Sequence, residues 1–201
     1  MKEHNLHKLN FNPYLEKLYN SDKPLIIYKV NNGYNIYTDF SQKKILTKKN
    51  INNFLNFFNK SKMKKETDIY IGFFGYEILC NLLGIDLKSN KNLGFYKAIF
   101  YKPETIIKIR KNITIKSNIK KHRFVNSFTP TKILSPFKLN INFKKYEKIF
   151  KLFSKKIRSG ETYQIKICTK YKNKSKINPI NFFWRLMKVN SSPESFMIRD
   201  K

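Results

Sequence analysis

Tyr146-Glu-Lys-Ile-Phe-Lys-Leu-Phe-Ser-Lys-Lys-Ile-Arg-Ser-Gly160-Glu-Thr-Tyr-Gln-Ile-Lys-Ile-Cys-Thr-Lys170 changes its periodicity at one glycine. Before it, Tyr146, Ile149, Phe150, Phe153 and Ile157 recur every three to four residues, the apolar stripe of a helix running from Lys144 to Arg158. Gly160 stands just past the last apolar residue, where a helix ends in the left-handed conformation. After it, Tyr163, Ile165 and Ile167 alternate with Thr162, Gln164, Lys166 and Cys168, which predicts a strand over Glu161–Lys170 with Gln164 on the polar face. Asn178-Pro179 places a cap and an N1 proline ahead of Phe182, Phe183, Trp184, Leu186 and Met187, so a second helix follows. Asn190-Ser-Ser-Pro193 ends it, and Ser195–Arg199 reads as another strand. Asp200-Lys201 reads as the first half of a turn, so that strand is expected to lack a hairpin partner. The order helix, strand, helix, strand points to the α/β (α+β) class.

Upstream the pattern is mixed. Leu25–Val30 and Tyr34–Phe40 are predicted strands joined at Asn31-Asn32-Gly33, a hairpin signal that leaves the turn type open. Asn50 precedes Ile51, Phe54, Leu55 and Phe58, one apolar helix face with Asn50 as its cap. Within Ile69–Ile85, three glycines, Glu77 and Asn81 argue for a buried strand and a short helix, not a membrane span. Phe95–Tyr101 and Thr105–Arg110 are strands flanking Lys102-Pro103-Glu104, with Pro103 confined to a turn or an edge. Asn112–Lys116 is a further strand. Residues 117–139 are polar, contain Pro130 and Pro136, and read as a linker. The organisation expected is residues 1–139 as one domain with its linker and residues 140–201 as the beginning of a second.

The composition narrows the function. A chain of 201 residues that is 41% hydrophobic and 15% aromatic has material for a core, which excludes a disordered polypeptide despite a formal charge of +29. That charge raises nucleic acid as a partner. Yet only Arg110, Arg123, Arg158, Arg185 and Arg199 supply guanidinium groups, and most of the lysines fall singly between apolar residues instead of in one block. A reader of phosphates or bases favours the bidentate fork of arginine, so no specific nucleic-acid partner is expected. Met1–Leu18 carries Glu3 and Glu16 and no apolar run, so neither a signal peptide nor a membrane partner is expected. Cys80 and Cys168 form no CxxC pair, and the chain is assigned to a reducing cytoplasm. His4-x-x-His7 and His122 lack the setting of a metal site.

Three elements carry a resemblance. Gly72-Phe-Phe-Gly75-Tyr-Glu77 resembles a G-x-x-G-Y-[DE] element, and Leu93-Gly94-Phe95 to Glu104 the strand that follows it. Ile157-Arg-Ser-Gly160-Glu-Thr-Tyr-Gln164-Ile-Lys166, Asn178-Pro179 and Asn190-Ser-Ser-Pro193-Glu-Ser-Phe196 resemble the opening of the chorismate-binding domain. That domain belongs to the large subunits (component I) of aminodeoxychorismate synthase and anthranilate synthase. The resemblance implies large antiparallel sheets with flanking helices. It implies a reaction in which ammonia, supplied by a glutamine amidotransferase subunit (component II), adds to C4 or C2 of chorismate as the ring 4-hydroxyl leaves, with Mg²⁺ on the carboxylate.

Carried over residue by residue, the resemblance assigns little. Gln164 matches the position where water-using relatives carry a lysine base, and a neutral amide there positions a nucleophile without deprotonating it. Thr162 and Lys166, on the same predicted face, are candidate substrate-binding residues. Ile27, Tyr28, Ser192 and Pro193 match a pocket that binds feedback tryptophan in anthranilate synthases. Leu25-Ile26-Ile27-Tyr28 lacks that element's acid and serine, so the pocket is degenerate. Glu161-Thr-Tyr-Gln164 leans toward the aminodeoxychorismate branch, with anthranilate synthase the alternative and a non-catalytic truncated remnant or binding module a third. The family's metal-binding glutamates and catalytic histidine lie in its C-terminal half and have no matched positions here. These residues alone are therefore expected to hold no metal and to make no aminated product.

Overall fold

The hairpin forms where the alternation placed it. Strands β1 (Leu25–Val30) and β2 (Gly33–Ile45) pair antiparallel from Leu25 opposite Thr38 to Val30 opposite Gly33. The structure is a computed structural model, and it describes residues 13–60, 62, 64–85, 95–120, 136–173 and 178–200. Neither Asn31 nor Asn32 has a positive φ, so the turn is not the type I′ that needs two such residues. The demand falls on Gly33 instead, at φ +146°, where an added Cβ would stand 2.0 Å from the carbonyl oxygen of Ile109.

Strand β3 (Ile71–Phe74) and helix α3 (Tyr76–Leu82) realise the strand–helix unit of residues 69–85. Ahead of them, α1 spans Pro13–Asn20 and α2 spans Ile51–Lys60. Asn50 does not cap α2 with its side chain. Its Oδ1 accepts from Thr47 N at 2.7 Å and its amide donates back to Ile45 O at 3.0 Å. The two strands expected around Pro103 are one strand, β4 (Ala98–Ile109). Along one side β4 pairs with β2 across a bulge between Phe40 and Gln42. Along the other, β3 covers Ala98–Tyr101 and β5 (Ile113–Ser117) covers Thr105–Ile109. Pro103 falls in the gap between those partners, a local edge where a missing N–H costs no ladder bond. The strand ending at Arg199 stands at the sheet edge, and its one neighbour there is distant in sequence and not a hairpin partner. As β8 (Ser195–Arg199) it pairs antiparallel with Leu25–Lys29 of β1.

The chain divides into two compact units, Met1–Phe128 with Phe183–Lys201, and Thr129–Phe182. The first holds a six-stranded antiparallel sheet of order β3-β4-β2-β1-β8, with β5 attached to β4. Register aligns apolar rows on each face. Ile106, Tyr37, Ile26 and Ile198 form one row, and Ile107, Ile36, Ile27 and Met197 the other. Each isoleucine so buried contributes about 2 kcal/mol of transfer free energy. Tyr101 and Ile99 join the first row in one core cluster. Leu46, Ile51, Phe54, Ile78 and Ala98 form a second. Trp184 stacks edge-on against Tyr34 at 4.7 Å and lies 6.2 Å from Tyr19.

The second unit contains α4 (Phe143–Arg158) and the two-residue ladder of β6 (Lys138–Leu139) with β7 (Tyr171–Lys172). Helix α4 starts as its sequence dictates, with Asn142 Oδ1 accepting from Lys145 N, and it buries no side chain completely. Helix α5 (Pro179–Val189) is capped by Asn178, whose Oδ1 accepts from Ile180 N and Asn181 N. Most of the expected linker, residues 121–135, lies outside the described residues, as do His4, His7 and His122. Mixed helices and antiparallel strands make this an α/β fold, as the element order and the resemblance implied.

Candidate functional site

Gly160 does what its position predicts, taking φ +78° directly after the C-cap Ser159. Glu161 then turns back on the helix, its carboxylate 2.6 Å from Lys156 Nζ and accepting from Ser159 Oγ at 3.2 Å. Beyond this point the expected strand over Glu161–Lys170 is absent. Ile165 and Ile167 are half-buried, as alternation required, but among the described residues no neighbouring strand offers a ladder until Tyr171. Asn140 fastens the far end, donating to Lys170 O at 3.0 Å while its side chain accepts from Lys170 N at 2.7 Å. Gln164 and Lys166 are exposed, and Tyr163 is 92% exposed. Thr162 is half-buried and donates to the carbonyl of Gln164 at 3.1 Å. The three candidate residues therefore share one short irregular segment, held at both ends.

The other set is brought together by β8. Tyr28 lies opposite Phe196, and Lys29 opposite Ser195. Lys29 Nζ reaches the preceding turn, bonding Ser191 Oγ at 2.5 Å and the carbonyl of Ser192. Ser192 Oγ in turn bonds Glu194 O and Ser195 Oγ, both at 2.6 Å. Pro193 is exposed on that turn, and Ile27 is wholly buried in the sheet. A cleft of about 330 Å³ beside the turn is lined by Phe183, Met187, Asn190, Ser192 and Glu194.

Sequence reading missed two polar groupings. At the β2 bulge, Asp39 takes φ +51°, pairs with Lys23 at 2.5 Å and accepts from Thr105 Oγ1 at 2.9 Å. Burial first, and the Asp39 charge second, push the Tyr14 phenol well above its ordinary value. At the other grouping, Lys43 Nζ lies 2.5 Å from Asp200 and 5.0 Å from the Tyr96 ring centroid. The bond to Asp200 raises the Lys43 pKa. Both groups draw on residues far apart in sequence, and Asp39 alone carried a local signal, as an aspartate in a strand-like run.

Among the described residues, no three His, Cys, Asp or Glu side chains converge to hold a metal ion. No helix among them is long and apolar enough to cross a membrane.

The family model for chorismate binding enzymes matches residues 15–201. The chain belongs to the chorismate-binding enzyme family. All of the quoted resemblance elements fall inside the matched span. Membership makes the chain part of a chorismate-utilising enzyme and implies chorismate as the substrate. No curated protein matches the chain. In this family member the Gly72-x-x-Gly75 element has a packing reason. A Cβ on Gly72 would stand 1.9 Å from Ile99 O, and one on Gly75 2.5 Å from Lys97 O, so β3 and the start of α3 lie against β4 only with glycine at both places.

Proposed function

We propose that the chain serves the aminodeoxychorismate branch of the family, handling chorismate for amination at C4. Gln164 positions ammonia delivered by a glutamine amidotransferase subunit. The observation that carries this reading is a glutamine at the position of the water-using relatives' lysine. An amide both donates and accepts hydrogen bonds, so it orients ammonia, but it takes no proton from water. Ammonia is already a nucleophile and needs no such base. Exposure of Gln164 on a segment held at both ends leaves its amide free to meet a substrate. The lack of an acid and a serine in Leu25–Tyr28 supports this branch over anthranilate synthase, the alternative. An exposed free thiol at Cys168 fits a reducing cytoplasm.

A second reading is a binding module without catalysis of its own. One experiment separates the readings. The chain is co-expressed with the C-terminal half of a family member, and the products of chorismate, Mg²⁺ and ammonium are resolved by chromatography. Formation of 4-amino-4-deoxychorismate supports the proposal, and anthranilate moves the chain to the other branch. Chorismate binding with no amine product supports the binding module and refutes the catalytic assignment.

A further inference from the structure

On the sheet face that carries the row of Ile106, Tyr37, Ile26 and Ile198, a cavity of about 530 Å³ opens. Phe73, Tyr96, Tyr101, Phe196 and Ile198 wall it, and Asp200 brings a carboxylate to its lining. That volume, with apolar walls and few polar groups, suits a small molecule.

The same carboxylate already holds an ammonium. Lys43 Nζ lies 2.5 Å from Asp200, 5.0 Å from the Tyr96 ring centroid and 5.8 Å from that of Tyr101. An ammonium with a carboxylate on one side and two aromatic rings within about 6 Å has the surroundings of a caged organic cation. Tyr101 steadies the anion. Burial first, and then its bond to Asp200, push the phenol well above its ordinary pKa, so it remains a donor to that carboxylate.

Lys43 uses only part of this arrangement. Its side chain is 37% exposed and that of Asp200 19%, and an ion pair so open to water contributes little. Lys43 is also not one of the cavity's walls. It meets the carboxylate but brings no apolar surface to the cavity. An ammonium with an apolar tail of its own would meet both.

We propose that this cavity binds a small primary ammonium ion with an apolar tail, its nitrogen replacing Lys43 Nζ at Asp200 and its tail lying among Phe73, Phe196 and Ile198. Lys43 is then an internal competitor for the site. The proposal does not depend on the amination reading.

The test uses the 201-residue protein, with n-hexylammonium as the probe and n-hexanol as its uncharged counterpart. The chain's formal charge of +29 repels cations at long range. Titration calorimetry is therefore run at about 0.15 M salt, where the screening length is about 8 Å. Wild type should bind hexylammonium at least roughly fivefold more tightly than hexanol. Lys43→Ala, which removes the competitor, should tighten hexylammonium binding roughly three- to tenfold and leave hexanol unchanged. Asp200→Asn should erase the preference for the amine. Amide resonances of Tyr96, Tyr101 and Phe196 in the wild type should shift on adding hexylammonium, which keeps the site testable if a variant fails to fold. Three results overturn the proposal. One is hexylammonium affinity that is unchanged or lower in Lys43→Ala. Another is equal binding of the two probes by wild type, or a preference that survives in Asp200→Asn. The third is amine binding that leaves those three resonances unmoved.

Discussion

Arg199, the last residue of β8, is the most informative residue to remove. Its guanidinium donates from Nε to Lys23 O at 2.9 Å, from one terminal nitrogen to Tyr19 O at 3.1 Å, and from the other to Leu18 O at 2.9 Å. Two of those carbonyls lie at the C-terminal end of α1, where a cation is favoured by the helix dipole. Charge-assisted bonds of this kind are worth about 1.5–3 kcal/mol each when broken. Two terms reduce the sum. Leu18 O keeps Ser21 Oγ as a donor at 2.8 Å. Burial also penalises the cation, lowering the Arg199 pKa to about 10. Arg199→Ala should therefore cost about 3 kcal/mol, a fall in Tm of roughly 6–12 °C for a chain of this size. Arg199→Lys, which keeps the charge but not the fork, should recover about half. Urea unfolding followed by circular dichroism gives the first number. Amide exchange gives a second, and should quicken along β1–β8 while β2–β4 stays protected. A loss below about 0.5 kcal/mol, or exchange quickened uniformly, would refute the claim that this side chain locks β8 to α1.

Gly72→Ala forces β3 away from β4 and should cost more than about 3 kcal/mol or leave the protein insoluble, whereas Gly84→Ala, at φ +71° with open space around it, should cost only about 1–2 kcal/mol; paired urea titrations check the contrast. Bonds from Lys108 and then Lys116 hold the Glu66 carboxyl below its ordinary 4.5. The unfolded chain therefore takes up that proton first, so the stabilisation is present above pH 4.5 and is lost as pH falls through the folded value. Glu66→Gln should flatten the decline of the urea midpoint between pH 6 and pH 3, and an unchanged slope would count against it. Gln164→Ala removes no packed group and should shift stability by less than about 0.5 kcal/mol, while sharply lowering amine formation in the assembled enzyme; equal product yield from both forms would show that Gln164 positions nothing.

Local signals were read well and pairings were not. Gly160 and Asn178-Pro179 delimit α4 and α5 where the sequence put them, because capping is settled within one turn of chain. Asn50 is the exception, since Thr47 N competes for the same side-chain oxygen. Alternation foretold the half-burial of Ile165 and Ile167 but not the exposure of Tyr163 or the half-burial of Thr162, and it says nothing of whether a neighbour exists to bond the backbone. Pro103 was read from its own chemistry, and its place in mid-strand depends on where β3 and β5 stop. Tyr101 looked like any aromatic in an alternating run. Only the arrival of Phe196, Ile198 and Asp200 from the far end of the sequence gives it a cavity to line.

The pairing of β1 with β8 has a consequence in time. Leu25 and Arg199 are opposite each other, yet roughly 170 residues separate them. At a synthesis rate of about 5–20 residues per second, β1 waits on the order of 10–30 s before its outer neighbour exists. Through that interval Leu25–Val30 presents an unpaired backbone edge, flanked by Lys23 and interrupted by Lys29, the kind of charge that discourages a foreign strand from adding there. Lys29 then changes role once the chain is made, closing on the Ser191–Ser192 turn that leads into β8. One lysine thus guards the edge while it is open and clasps the strand that seals it.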